Sequence, residues 1–268
     1  MKHSSGDKSL FGEYIARDRT NVTKQRIIPK EATGEACTKA LWRRYEEGYL
    51  PVIPDIKLRS PGEGELMRGR DPVGYAKALE AAGAPVISVV TEEAHYGGSV
   101  KLLEDILRAV TVPVLRKDMI RDVEQLRESA GLGVSAVLLI ASVLGEEQLK
   151  NLLNEAIRLG LEPLVEIHNQ AELAIAAKLP ITFLGINNRN ILLWETDSGN
   201  VETTEAIAQR AKLNPLAKRP FLLSESSILS PEEALRAATA GAHGVLIGTA
   251  LLKAEDPVLR YREFSMDR

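Results

Sequence analysis

The chain has 268 residues, with 34 lysines and arginines against 37 aspartates and glutamates and a formal net charge of −3. Both signs are spread along the sequence, so neither a general nucleic-acid surface nor a basic membrane face is expected. Cys37 is the only cysteine, which excludes an internal disulfide and a paired-cysteine metal site and leaves it a structural residue.

The N-terminal stretch MKHSSGDKSLFGEYIARDRT lacks the apolar core of a signal peptide. No run approaches the roughly 20 apolar residues of a transmembrane helix, so the expectation is a soluble, cytoplasmic protein. Residues 1–48 form an extension ahead of the first strand, in which Pro29 and Gly34 suggest turns. Thr38–Glu47 reads as a helix with Leu41, Trp42 and Tyr45 on one side, packed on the barrel bottom or folded over the strand ends.

Apolar runs then follow at Val52–Lys57, Pro85–Val90, Val112–Lys117, Ala136–Ala141, Glu162–Ile167, Thr182–Asn187, Pro220–Glu225 and Gly244–Gly248. Short runs rich in Val, Ile and Leu fit strands buried on both faces of a parallel sheet. Between them, Pro72–Ala82, Lys101–Ala109, Asp122–Ala130, Glu146–Leu159, Gln170–Leu179, Glu202–Leu213 and Pro231–Ala240 carry apolar residues at helical spacing among charges. Eight strands alternating with helices predict an α/β fold, a (β/α)8 TIM barrel over 49–268, and the length suits one domain of about 250 residues.

Barrels of this class carry their active sites at the C-terminal strand ends. In Asp55-Ile-Lys57 the two-residue period turns the acid and the lysine inward and Ile56 towards the helices. The third strand ends at Lys117, the fifth at Glu166, the sixth at Asn187 with Arg189 beyond, and the seventh at Glu225-Ser226-Ser227. One such residue alone fits an interior ion pair. Converging charges cost several kcal/mol each to bury unless paired, so the set points to acid–base chemistry without a metal. Small residues at Ser226-Ser227 and Gly248-Thr249, with Ala250-Leu251-Leu252 starting a short helix, fit a phosphate site, and Arg189 adds a charge.

There is no Walker loop and no HExxH, and Gly62-Glu-Gly64 lacks the context of a dinucleotide fingerprint. His3, His95, His168 and His243 lack metal-ligand spacing and read as surface or packing residues, His168 being the least easily dismissed because it follows Glu166.

Several short patterns occur in one order: Asp55-Ile-Lys57-Leu-Arg-Ser60-Pro61, Thr91-Glu92-Glu-Ala-His-Tyr96-Gly-Gly-Ser99, Lys117-Asp118-Met119, Pro163-Leu-Val-Glu166, Gly185-Ile-Asn187-Asn-Arg189 and Glu225-Ser226-Ser227-Ile228. Through them the chain resembles the indole-3-glycerol phosphate synthases of tryptophan biosynthesis, over about residues 40–255. The resemblance implies closure of a carboxyphenylamino-deoxyribulose 5-phosphate to indole-3-glycerol phosphate with loss of CO2 and water, and no cofactor. It implies that Lys117 is the general acid, that Lys57 holds the substrate carboxylate or donates a later proton, and that Glu166 stabilises the cationic intermediate. Asp55 and Asn187 would serve the dehydration, and Glu225 joins the catalytic set. Arg189, Ser226, Ser227, Gly248 and Thr249 would hold the phosphate, and Ser60 lies on a first loop that Gly62 and Gly64 let close. Tyr96, Met119 and Leu138 would line the pocket for the aromatic ring.

The chain departs from the family pattern at particular positions. Asp55 stands where Glu is usual, Met119 and Tyr96 replace phenylalanines, Ser227 replaces a Gly, and Asn190 replaces an acid. If position 227 needs positive φ, a serine there costs on the order of 1–2 kcal/mol. Three outcomes stay open: the synthase, a paralogous barrel enzyme acting on another phosphorylated substrate, or a non-catalytic phosphate-ligand-binding protein. The expected partner is a phosphorylated small molecule, with no nucleic acid and no membrane, on a monomer or weak homo-oligomer.

Overall fold

A computed structural model describes residues 36–193, 196–197, 199–213, 219–265 and 267. The expected extension up to residue 35, with Pro29, Gly34 and His3, lies outside them.

Eight parallel strands close into a barrel: β1 (Val52–Ile56), β2 (Ile87–Val90), β3 (Val114–Lys117), β4 (Ala136–Ile140), β5 (Glu162–Ile167), β6 (Phe183–Asn187), β7 (Phe221–Glu225) and β8 (Gly244–Ile247). Each pairs with its neighbour in sequence and β1 closes on β8, so the predicted (β/α)8 barrel is the fold. Helix α1 (Cys37–Glu46) precedes β1. Around the barrel run α2 (Pro72–Ala81), α3 (Val100–Ala109), α4 (Val123–Leu132), α5 (Ala141–Arg158), α6 (Gln170–Ala176), α7 (Glu202–Leu213) and α8 (Pro231–Ala240). The short α9 (Thr249–Leu252) and then α10 (Pro257–Phe264) follow β8. A two-stranded ribbon, Arg59–Ser60 with Gly64–Glu65, occupies the first loop.

Side-chain caps fix where several helices begin. Asp71, Ser99, Asp122, Asn169 and Ser230 each accept backbone N–H bonds at an N-terminus, which satisfies donors the helix leaves unpaired. In α5 the expected start at Glu146 marks a real break: Gly145 takes φ 71 and ψ 173, so Ala141–Leu144 is a separate turn leading into the main helix.

The strand period sorts the core into two layers. Outward residues such as Ile56, Val89, Val137 and Val165 pack under the helices. Inward residues such as Ile53, Leu115, Leu164, Phe183, Phe221 and Leu246 fill the barrel, and Cys37, Ala40 and Leu41 of α1 join them from below. Trp42 meets Phe221 edge-on at 5.0 Å between ring centroids, and Thr38 N–H donates to Glu162 at the start of β5 (3.0 Å). Of the two positions open to this helix, the structure shows the barrel bottom.

Because Leu41 is fully buried in that plug, Leu41→Ala should cost about 2–5 kcal/mol of stability, read as a lower urea midpoint at unchanged slope. A loss under about 0.5 kcal/mol would show that α1 does not close the barrel.

Candidate active site

Two adjoining cavities open at the C-terminal mouth, each with about 430 Å³ of empty space counting the part open to solvent. Asp55, Lys57 and Lys117 line both. One cavity is walled by apolar side chains, Val90, Tyr96, Met119, Leu138, Ile140 and Ile191, with Glu166, Glu92 and Asp118 at its edge. The other is polar and is walled by Arg189, Ser226, Ser227, Gly248 and Thr249. The predicted residues therefore converge, with three exceptions. Asn187 and Glu225 are fully buried behind the cavity walls, and Ser60, in the ribbon, lines neither cavity.

Strand alternation aims the charges. Asp55 faces inward and accepts from the Ser88 hydroxyl (2.6 Å), while Ile56 packs outward, as the period requires. On β3, Lys117 points inward and Arg116 outward, where Arg116 is buried. It donates to Thr91 (3.1 Å), Glu128 (2.7 Å) and Ser129 (3.0 Å) and pairs with Asp118 (3.2 Å). Asp118 in turn accepts from Thr91 (2.7 Å) and from the Met119 N–H (2.8 Å). This network pins the ends of β2 and β3 and with them the root of Lys117. An arginine inside an apolar run was the signal for it in the sequence.

Lys117 Nζ lies 3.3 Å from Glu225 Oε2. Burial pushes Glu225 up to about 8, only partly opposed by the Lys117 charge and reinforced by Glu166 and Asp55. Its carboxyl lies across β6, where a Cβ on Gly185 would collide with Oε1 and come 3.2 Å from Cδ. Gly185 is thus part of the site by virtue of having no side chain.

His168 is neither exposed nor merely packed, which corrects its reading as a surface or packing residue. Its Nε2 is 3.4 Å from Glu166 Oε1 and its Nδ1 is 3.1 Å from Glu172 Oε2. Glu172 is held in turn by the His168 N–H (2.8 Å) and the Asn169 amide (2.6 Å). Burial disfavours the imidazolium, but the hydrogen bond to Glu172 and the charges of both Glu166 and Glu172 override it and push His168 up to about 10. The other two described histidines do fit packing roles: His243 sits among Trp42, Tyr45 and Phe221, and His95 leans on Glu92. Glu92, although at the cavity edge, is occupied in accepting the N–H groups of Ala94, His95 and Tyr96.

The polar cavity rests on a strained turn. Ser226 has φ 63 and Ser227 φ 53, two of the three non-glycine residues with positive φ among the described residues. Each such residue costs on the order of 1–2 kcal/mol and persists only where its surroundings over-determine it. Asn188 does this. Its buried amide donates to the Ser224 hydroxyl (3.1 Å) and to the carbonyls of Glu225 (2.9 Å) and Ser226 (3.0 Å), and its Oδ1 accepts from Thr204 N–H (3.1 Å) and Oγ1 (2.9 Å). Nothing in the sequence alone distinguished Asn188 from a loop residue.

The first loop is tied to the same wall. Arg70 donates to the carbonyls of Leu252 (2.6 Å) and Ala254 (2.7 Å), Arg68 to that of Lys253 (3.2 Å), and Lys253 pairs with Glu63. The end of α9 and the loop carrying Ser60 are therefore linked by hydrogen bonds and an ion pair.

With this geometry in place, comparison with known proteins decides the family. The indole-3-glycerol phosphate synthase profile matches residues 15–264. The chain belongs to the indole-3-glycerol phosphate synthase family. It is 41% identical to the indole-3-glycerol phosphate synthase of Pyrococcus furiosus over 214 residues, covering 80% of this chain and 91% of that one. The Thermococcus kodakarensis enzyme of the same name is 44% identical over 207 residues, covering 77% and 88%. One from Streptococcus pneumoniae is 38% identical over 256 residues, covering 96% of each. Among the described residues no helix is long and apolar enough to cross a membrane.

Because His168 is raised from 6.5 to about 10, its pairing stabilises the fold fully below about pH 6.5, and that contribution is lost as pH rises through about 10. Urea unfolding of His168→Gln should therefore fall less between pH 6.5 and 10 than that of the parent chain. Parallel pH curves for the two proteins would show that the imidazolium is not held by its carboxylates.

Proposed function

We propose that the chain is a carboxy-lyase of tryptophan biosynthesis that closes 1-(o-carboxyphenylamino)-1-deoxyribulose 5-phosphate to indole-3-glycerol phosphate. The observation that carries this reading is the pair of unlike cavities meeting at Asp55, Lys57 and Lys117. An aromatic ring suits the apolar one and a phosphate the polar one. The sugar ketone then spans the shared wall, where the acid–base groups stand.

The chemistry follows from that placement. The ring carbon bearing the carboxylate attacks the ketone carbon, a C–C bond forms, and the carbonyl electron pair moves to oxygen. Lys117 protonates the oxygen, and Glu225 behind it, held near 8 by burial, can return a proton to the lysine. Glu166 faces the cationic ring system, and the imidazolium of His168 holds that carboxylate in place. Lys57 grips the substrate carboxylate until CO2 leaves, and the electrons of the broken bond restore the aromatic ring. The hydroxyl then departs as water with a proton from Lys57, and Asp55 takes a proton from the adjacent carbon to complete the indole. Asn187, whose Oδ1 accepts the Arg189 N–H (2.9 Å), ties this step to the phosphate wall. Arg189 with the Ser226, Ser227, Gly248 and Thr249 backbone holds the phosphate, and Ser60 comes over the ligand with the first loop.

Family membership and the complete set of polar strand ends support the synthase over a barrel enzyme for another phosphorylated substrate and over a non-catalytic binding protein.

Lys117→Met should lower the appearance of indole fluorescence from this substrate by about 100-fold or more, with the product confirmed by mass. Turnover at the parent rate would remove the acid role. Asp55→Glu should preserve or raise activity, since the added methylene extends towards the shared wall. A fall of about 100-fold would instead mean that the site is tuned to the shorter acid and to different chemistry.

A further inference from the structure

We propose that the Ser227 hydroxyl is a positioning group for phosphate capture in this chain, holding the Arg189 guanidinium by its Nε, and that Gly199 is matched to it. The proposal rests on the reading of the polar cavity as the phosphate site.

Three observations converge on Ser227. Its backbone is left-handed, a conformation glycine adopts without strain, yet the chain keeps a side chain there. That side chain has work at hand: Oγ accepts from Arg189 Nε at 2.9 Å. Arg189 is also anchored at its root, because its backbone N–H donates to Asn187 Oδ1 at 2.9 Å. A guanidinium tethered at both ends of its side chain loses less rotamer freedom when it meets an anion. The acceptor is a neutral hydroxyl, so this contact orients the cation without cancelling its charge, as a carboxylate would.

Gly199 supplies the space. A Cβ there would collide with the Ser227 hydroxyl and approach the Asn188 carbonyl to 2.6 Å and Arg189 Cγ to 2.7 Å. The hydroxyl and the arginine stem thus fill the volume that the glycine leaves open. Asn188 holds the strained turn from the other side through the Ser226 carbonyl, so the strain and the contact are fixed by one structure.

The test is a double-mutant cycle with the phosphorylated substrate, backed by the inhibition constant of inorganic phosphate. Ser227→Gly removes the hydroxyl and relaxes the backbone. The expected result is an unchanged or higher Tm together with a KM and a phosphate inhibition constant raised about five- to tenfold, the loss falling on KM rather than kcat. In an Arg189→Gln background the same change should add little, because the hydroxyl acts through the arginine. Ser227→Ala, which keeps the strained backbone, should raise KM equally while lowering Tm. If Ser227→Gly keeps the parent KM while Arg189→Gln raises it, the positioning role is overturned and the phosphate reading stands. If Arg189→Gln also keeps the parent KM, both fall.

Discussion

A carboxyl and an ammonium group, Glu225 and Lys117, meet 3.3 Å apart at the barrel mouth with the carboxyl fully out of water, and the mouth is built around that pair. Desolvating Glu225 is costly, so its neighbourhood must be shaped to make the cost useful. Gly185 leaves the volume in which the carboxyl lies. The Arg116 network fixes the strand that delivers Lys117. The register of β6 and β7 sets Asn187 beside Glu225. Were the site wetter, Glu225 would ionise as an ordinary surface acid and lose the capacity to exchange a proton near neutrality.

The same strand end turns directly from that pair into the strained serines. Glu225 is the last residue of β7, and Ser226 and Ser227 follow in left-handed conformation. Asn188 bonds to the carbonyls of both Glu225 and Ser226, so one buried amide sets the Lys117–Glu225 pair and the wall of the polar cavity relative to each other. On the proposed mechanism, in which the substrate bridges the two cavities, that fixed spacing would convert phosphate binding into placement of the ketone against Lys117.

Much of this was legible in the sequence because it depends on period. The alternation that turns Asp55 and Lys57 inward and Ile56 outward needs no tertiary knowledge, and neither do the polar ends of strands three, five, six and seven. What was not legible depends on contacts between elements distant in sequence. His168 stands out in the sequence only by following Glu166, and its role is not readable until α6 brings Glu172 beside it. Asn188 reads as a spacer between Asn187 and Arg189 until its amide is seen to reach β7, 37 residues on. Gly185 reads as a weak strand residue until Glu225 fills its missing side chain. The helix over Thr38–Glu47 was recognisable by its stripe, but its choice of the barrel bottom rests on Glu162 and Phe221, which no local pattern connects to it.

The departures from the family pattern take on different weights once they are located. Tyr96 and Met119 both line the apolar cavity, where Met119 exchanges one bulky apolar group for another and Tyr96 keeps the ring and adds a hydroxyl. Asp55 is different, because the Ser88 hydroxyl holds it on the wall shared by both cavities, where a carboxylate one methylene shorter than the usual Glu presents its oxygens from further back. Ser227 is different again: its substitution adds strain in the backbone, and a contact to Arg189 accompanies that strain. Glycine would adopt this conformation without strain, so backbone stability alone does not account for the serine. A strained serine beside an arginine, opposite a glycine that leaves room for both, therefore sets the wall of this chain's polar cavity apart from the family pattern at that position.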